Sequence, residues 1–349
     1  MSVRMKDVAA HAGVSVATVS NVFTGKHCVS PDVKEKILKA VEELDYHVNL
    51  NARGLKTSRT NTIGVILPDI TKLFFTGVMR GIQSEAGKHG FRIVYLSSNY
   101  DFNTEKECVA QFRGSNVDAI IIDSCCDYLT IKEWAYELAT YNGRYTPIVF
   151  LENSIDDGLV SSISIDAYSW SGKLTQHFLS LGKKEILYIS GPQHLRHEHD
   201  RLQGYMQALK ENNIEISDSL ILESDFSTST SYSLICNVLD SCLKFDAVQA
   251  SNDEAAVGVL RAFKERGIRV PEDIVICGFD NLFPSTLVEP AITTINVPRF
   301  EMGVAAIDEC IRHIDDPELP YNSTVLGAEM LIRSSSEKGS EVKWDVDSW

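Results

Sequence analysis

Between residues 62 and 278 short apolar runs alternate with longer helical patterns, and this alternation limits the possible folds more than any other feature of the chain. Predicted strands are 62–67, 92–97, 119–122, 147–151, 162–165, 185–190, 247–250 and 274–278, and predicted helices are 74–89, 172–181, 200–212 and 253–266. Such alternation is typical of parallel sheets covered by helices on both faces. Because the units are too many for one open sheet, we expect two similar halves with a ligand cleft between the carboxyl ends of their strands.

Residues 5–23 carry two short helical patterns joined by a tight turn. Gly13 suits the turn, where a Cβ would be costly, and Ser15 is a good N-cap for the second helix. Val19 and Val22 would face back toward the first helix. The pair is either an ordinary helical hairpin or a helix-turn-helix, whose second helix enters the major groove of DNA.

A third helical pattern begins at Ser30-Pro31-Asp32, which combines an N-cap, a proline at the first helical position and a carboxylate at the positive end of the helix dipole. Its apolar residues, all on one face, are Val33, Ile37, Ala40, Val41 and Leu44. Three helices therefore close a small core, which favours a DNA-binding headpiece over a lone hairpin.

Charge is divided unevenly along the chain. Residues 1–60 contain nine Lys/Arg against six Asp/Glu, whereas the remainder contains 24 against 42. Only the first segment can approach a phosphate backbone on electrostatic grounds.

Several motifs in the first 55 residues resemble the headpiece and hinge of the LacI/GalR family of bacterial transcription repressors. They are Asp7-Val8-Ala9, Ala12-Gly13-Val14-Ser15, Thr18-Val19-Ser20, Val29-Ser30, Glu43-Leu44-Asp45-Tyr46 and Asn49-Leu50-Asn51-Ala52-Arg53-Gly54-Leu55. The body is similar to the same family, and the matching runs are 63–69, 190–192, 250–253, 270–274, 277–281 and 331–334.

The resemblance implies a small all-α helix-turn-helix headpiece with a hinge helix, followed by an α/β body of two parallel-sheet subdomains like those of periplasmic binding proteins. The expected divisions are headpiece 1–46, hinge 47–60, body 61–338 and tail 339–349. In the body, subdomain one comprises about 61–160 plus 293–320, and subdomain two about 161–292 plus 321–338.

The resemblance also implies operator contacts, a near-palindromic double-stranded DNA site and a homodimer. Expected DNA-binding residues are Ser15, Val16, Ala17, Thr18, Ser20, Asn21, Lys26, Asn49, Ala52, Arg53 and Leu55. Asn21 can make a bidentate contact to adenine, whereas Val16 and Ala17 can offer only apolar contact to thymine methyls. The tail after Ser334 has no leucine repeat, so we expect a dimer rather than a tetramer.

A polar effector, a sugar or related metabolite, is expected in the cleft. Arg201 and Asp280 suit a polyhydroxylated ligand because arginine donates and aspartate accepts hydrogen bonds. Expected effector-binding residues are Asp69, Phe74, His197, Arg201, Phe226, Asn252 and Asp280. Arg201 and Asp280 could instead form a structural ion pair, and Phe74 could be ordinary core. We expect the cleft to be solvated.

No catalytic constellation is visible, since the chain lacks a phosphate loop, a nucleophile elbow and an HExxH motif. We therefore expect no enzyme activity.

His194, His197 and His199 could bind zinc, but their spacing fits a loop and no cluster supplies a fourth ligand, so neither metal nor cofactor is expected. Cys125 and Cys126 are more typical of buried hydrophobes than of a redox pair.

The absence of a bilayer-length apolar run and of a signal pattern predicts a cytoplasmic protein without membrane contact. The alternative function is a sugar-binding module without DNA-linked regulation. It is disfavoured because such a module would lack the basic head and would carry an export signal.

Overall fold

The computed structural model describes residues 3–24, 28–46, 59–155, 158–241 and 243–340. The chain divides into two compact units, Met1–Thr60 and Asn61–Trp349. In the part that the structure describes, no helix is long and apolar enough to cross a membrane.

The first unit is a three-helix cluster of α1 (Met5–Ala12), α2 (Val16–Thr24) and α3 (Pro31–Glu43). Gly13 ends α1 at φ +66°, and Val14 N donates to the Ala9 carbonyl, so the predicted glycine turn is present. The buried core of the three helices consists of Val8, Ala9, Val19, Ile37, Ala40 and Tyr46. The predicted packing of α2 on α1 and α3 is therefore confirmed.

The body contains two separate parallel sheets. The first has the order β11-β5-β4-β3-β1-β2 and the second the order β7-β6-β8-β9. Strands of the first sheet are β1 (Thr62–Leu67), β2 (Arg92–Ser97), β3 (Ala119–Asp123), β4 (Ile148–Leu151), β5 (Ser161–Ile165) and β11 (Ser323–Leu326). Strands of the second are β6 (Ile186–Ser190), β7 (Ile221–Glu223), β8 (Ala247–Ala250) and β9 (Val275–Cys277).

Helices cover both sheets. Around the first sheet they are α4 (Leu73–Lys88), α5 (Phe102–Gly114), α6 (Ile131–Ala139) and α12 (Arg299–Asp315). Around the second they are α7 (Ala167–Ser180), α8 (Arg196–Glu211), α9 (Thr228–Asp240), α10 (Asp253–Glu265) and the short α11 (Pro284–Leu287). Helix α4 packs against α12, and α7 against α8.

The predicted border between the subdomains is wrong by one strand at two places. Residues 161–165, expected in subdomain two, form β5, which pairs with β4 on one side and β11 on the other. Residues 323–326 were also expected in subdomain two, and they complete the edge of the first sheet. Strand alternation identifies a strand but does not say which sheet supplies its hydrogen-bond partners. The remaining crossovers meet as an antiparallel pair, β10 (Thr294–Asn296) and β12 (Glu329–Leu331).

Candidate functional site

A cavity of about 540 Å³ lies at the carboxyl ends of strands from both sheets. Its lining residues are Pro68, Lys72, Phe74, Phe75, Tyr100, Asp123, Ser124, Glu152, Leu195, His197, Arg201, Phe226, Asn252, Glu254 and Asp280. Six of the seven residues expected to bind an effector are among them. Asp69 is not, since its Oδ1 accepts hydrogen bonds from Thr71 N at 2.9 Å and Thr71 Oγ1 at 2.7 Å.

Arg201, in the second turn of α8, is the most highly connected side chain of the cavity. Its Nη1 donates to Glu198 Oε1 and to the Ser251 carbonyl, both at 2.9 Å. Its Nη2 donates to Asp280 Oδ1 at 3.4 Å and lies 3.7 Å from Glu152 Oε2. The guanidinium also stacks 4.0 Å from the centroid of the Phe279 ring. One cation therefore holds carboxylates from both subdomains.

Helix α8 begins one turn earlier than expected, at Arg196 rather than Asp200, and buried Leu195 is its N-cap residue. Residues expected in a loop are thus helical, and His197 and Arg201 lie one turn apart on the same face. Glu198 Oε2 accepts from Gly191 N at 2.7 Å, which ties α8 to the loop after β6. A Cβ at Gly191 would clash with the Phe226 ring, so the close approach of this ring to the backbone requires glycine at position 191.

The expected solvated cleft is wrong: its charged groups are buried. Arg201 is 3% exposed and Asp280 4% exposed. The direct contact between them is also what the ion-pair alternative predicts. Burial lowers the pKa of Arg201. The negative charges of Glu198, Asp280 and Glu152 raise it by a larger amount, so the net shift is upward.

Acidic groups outnumber basic ones around Arg201. Burial raises the pKa of Glu152 and of Glu198 to about 7, although Arg201 lowers both. Burial also raises the pKa of Asp123 well above its ordinary value, and Glu152 adds to this. Placing like charges together in a buried site disfavours ionisation of all of them. These buried carboxyl groups therefore bind protons more readily than exposed ones would.

The carboxyl end of β3 is held in place by Glu105 of α5, which is fully buried. Its Oε1 accepts from Ser124 Oγ at 2.7 Å and from Trp134 Nε1 at 2.8 Å. Its Oε2 accepts from Cys125 N at 2.8 Å and from Cys125 Sγ at 3.1 Å. Burial raises the pKa of the Cys125 and Cys126 thiols, which disfavours the reactive thiolate.

Aromatic side chains form another wall of the cavity. The rings of His197 and Phe226 stack with centroids 6.0 Å apart, and Tyr100 lies 6.4 Å from Phe226. Burial, with Arg201 beside it, lowers the pKa of His197 to about 3, so the imidazole is neutral. Phe74 packs edge-on against Phe75 at 5.3 Å. His199 stacks on Tyr128 instead, so the histidines do not converge as a zinc site would require.

Backbone strain is concentrated at this site. Tyr100, Glu152, Phe226 and Asp280 have φ values of +58°, +56°, +65° and +97°. Non-glycine residues rarely adopt such values, and they persist where the surrounding structure holds them. For Asp280 the restraint is visible, because its N–H donates to the Ile295 carbonyl at 2.9 Å in the crossover strand β10.

Asn252 lines the cavity, but its amide already has structural partners. Its Oδ1 accepts from Ala255 N at 2.8 Å as the N-cap of α10, and its Nδ2 donates to the Phe226 carbonyl at 3.4 Å. The sequence analysis missed Tyr100, Asp123, Glu152 and Glu254. Asp123 and Glu152 follow the predicted strands 119–122 and 147–151 directly, so the rule that ligands lie beyond strand ends could have found them.

In the headpiece, α2 exposes Ser15, Val16 and Ala17, while Thr18, Ser20 and Asn21 are half-buried. Ser15 Oγ accepts from Thr18 N at 3.1 Å, so the predicted N-cap is present. His11 Nε2 lies 2.7 Å from Glu43 Oε2 and links α1 to α3. The other expected DNA contacts lie outside the described residues: Lys26, Asn49, Ala52, Arg53 and Leu55.

Comparisons with known proteins cover nearly the whole chain. The family model described as "Bacterial regulatory proteins, lacI family" matches residues 4–49. The model described as "Periplasmic binding proteins and sugar binding domain of LacI family" matches residues 60–332. The HTH-type transcriptional regulator RegA of Clostridium saccharobutylicum is 32% identical, over 96% of this chain and 100% of its own length.

Two solved structures extend the comparison. The Lac repressor dimer bound to operator and the anti-inducer ONPF is 26% identical, with a TM-score of 0.85 over 96% of this chain and 99% of that one. The complex of the transcriptional regulator CelR with cellobiose is 26% identical, with a TM-score of 0.71 over 96% and 100%.

Proposed function

Because the chain belongs to the LacI family of bacterial regulatory proteins, we propose that it is a homodimeric repressor controlled by a small polar ligand in the cleft. It is a DNA-binding transcription regulator and not an enzyme. The relatives that it matches along their full length are also transcription regulators. Its action on chromosomal DNA would take place in the cytoplasm.

The observation that carries this proposal is the connection of Arg201 to carboxylates from both sides of the cavity. Glu152 follows a strand of the first sheet, whereas Glu198 and Asp280 belong to the second subdomain. A polyhydroxylated ligand would bridge these groups, with Phe74 and Phe226 against its apolar faces. The solved relatives support this class of ligand, since one holds ONPF and the other cellobiose.

Control would follow from differential affinity. A ligand that contacts both subdomains binds the closed cleft more tightly than the open one and shifts the population accordingly. In a two-fold dimer, movement of the subdomains changes the spacing of the two headpieces, and this spacing must match the two operator half-sites. Coupling of roughly 1–3 kcal/mol is typical of such linkage.

Operator binding would rest on the outward face of α2. Val16 and Ala17 would contact thymine methyls, and Asn21 would read adenine. In the family, the leucine at the position of Leu55 wedges a central base step of the minor groove, and we propose the same for this chain.

The test begins by selecting duplexes from a random pool with the full-length protein, and we expect a near-palindromic site. Compounds from a library of polar metabolites that raise Tm are then added to the operator complex. The coupling above predicts that operator affinity changes by about 5- to 150-fold, and that Asp280→Asn removes this change.

If no duplex is enriched, the DNA-binding proposal fails. Enrichment of a duplex whose affinity no bound ligand alters would favour the alternative, a sugar-binding module without DNA-linked regulation.

A further inference from the structure

We propose that the ligand of this cleft carries a protonated amine in addition to hydroxyl groups, as an amino sugar does. This inference rests on the proposed function, and it names the chemical class of the effector. It follows from the carboxylate oxygens of the cavity residues that have no hydrogen-bond partner among the described residues.

Two carboxyl groups of the first subdomain line the cavity, and each has a buried oxygen without a hydrogen-bond partner among the described residues. Asp123 is 4% exposed and Glu152 6% exposed. Asp123 Oδ1 and Glu152 Oε1 have no hydrogen-bond partner among the described residues. Buried polar atoms in native proteins nearly always have partners, and each exception needs an explanation. A bound ligand that donates to both oxygens supplies one.

The two carboxyl groups lie next to each other. Asp123 ends β3, and Glu152 follows β4, whose Leu151 is in register with Asp123. Both acids line the cavity, and Glu152 is close enough to raise the pKa of Asp123. A single ammonium group has three donors and a full charge, so it can satisfy both oxygens at once.

The charge balance favours a cation over a neutral hydroxyl group. Arg201 is the counter-ion for Glu152, Glu198 and Asp280, and although its charge also lowers the pKa of Asp123, the net shift of that pKa is upward. Elsewhere in the cavity Lys72 faces Glu254, and His197 is neutral. A positive charge beside Asp123 and Glu152 would stabilise their ionised forms, whereas a phosphate or carboxylate would disfavour those forms further.

The experiment uses isothermal titration of the full-length protein with matched pairs: glucosamine and glucose, galactosamine and galactose, mannosamine and mannose. N-acetyl forms of the amines test size without charge, and glucose 6-phosphate tests an anion. Since hydrogen bonds between charged partners are stronger than neutral ones, at least one amine should bind about tenfold or more tightly than its hydroxyl partner and its N-acetyl form. Glucose 6-phosphate should not bind.

Asp123→Asn and Glu152→Gln should each reduce the preference for the amine while keeping binding of the neutral sugar. Glu107→Gln is the matched control, because it removes an exposed carboxylate of α5 that does not line the cavity, and it should leave the preference unchanged. Equal or tighter binding of the hydroxyl partner, absence of binding by every amine, or an unchanged preference in both variants overturns the inference. A neutral sugar that binds and alters operator affinity would overturn it while leaving the proposed function intact.

Discussion

The headpiece and the cleft place their functional side chains in opposite environments. On α2 the expected contact residues are exposed or half-buried over a core of small aliphatic residues. In the cleft Arg201 and its carboxylates are buried and depend on one another. Substitutions on α2 should therefore change binding with little effect on folding, whereas substitutions in the cleft should change both. Four predictions, from the largest expected effect to the smallest, test this difference.

Arg201→Met should have the largest effect, because it leaves Glu152, Glu198 and Asp280 buried without their counter-ion. Removing one partner of a buried ion pair costs about 3–5 kcal/mol. The free energy of unfolding, measured with urea, should fall by this amount. Arg201→Lys, which keeps the charge, is the control and should lose less. If the Met variant were as stable as wild type, substitutions in the cleft would affect folding as little as substitutions on the headpiece surface, and the contrast would fail.

Asn21→Ala should weaken operator binding by about 1–3 kcal/mol and relax specificity at one base pair per half-site. Binding to the selected operator and to its single-base variants measures both effects. Tm should stay unchanged, since the side chain is half-buried at the surface of α2. Asn103→Ala, an exposed position in the first turn of α5, controls for loss of an asparagine. Equal weakening on all sequences would instead indicate a phosphate contact.

Stability of the body should fall as pH rises from 6 to 8. The folded-state pKa of Glu152 and of Glu198 is raised to about 7 by burial, so the folded protein keeps protons that the unfolded chain has lost. Their stabilising effect is complete below the ordinary carboxyl pKa and is lost as pH rises through 7. Each group should cost about 1.4 kcal/mol over this interval.

Thermal unfolding at the two pH values, for wild type and Glu152→Gln, measures this loss. The variant should lose less stability between pH 6 and pH 8 because one buried ionisation is absent. An identical pH dependence in both proteins would mean that Glu152 does not titrate in this range.

Ser15→Ala should have the smallest of the four expected effects. It removes the hydroxyl that accepts from Thr18 N and should destabilise the headpiece by about 1 kcal/mol. Ser15→Asp, which can still cap the helix, is the control. The unfolding transition of the headpiece, followed by circular dichroism, should shift slightly for Ala and not for Asp. A loss as large as that of Arg201→Met would remove the contrast between the two regions.

The local sequence pattern was sufficient to predict the bounds of a strand or helix where the residues of that element alone indicate which of its faces are buried. Residues 62–67 and 247–250 are strands with the predicted bounds, because a strand covered on both faces is mainly apolar along its length. Residues 92–97 also have the predicted bounds, although this edge strand is only partly buried. The pattern failed for α5, α6, α9 and α12, which were not predicted. Two of these helices bury a charged residue, Glu105 in α5 and Glu309 in α12, which interrupts the apolar periodicity.

The sequence by itself determined the family, the headpiece and its glycine turn, the two-sheet plan and six of the fifteen residues that line the cavity, because these depend on motifs and local periodicity. Only the tertiary structure decided that β5 belongs to the first sheet, since its partner β11 lies about 160 residues later in the chain. The same holds for Arg201, whose contacts are at residues 152, 198, 251 and 280. Strand pairing and buried electrostatics depend on distances between remote residues, and local sequence does not contain those distances.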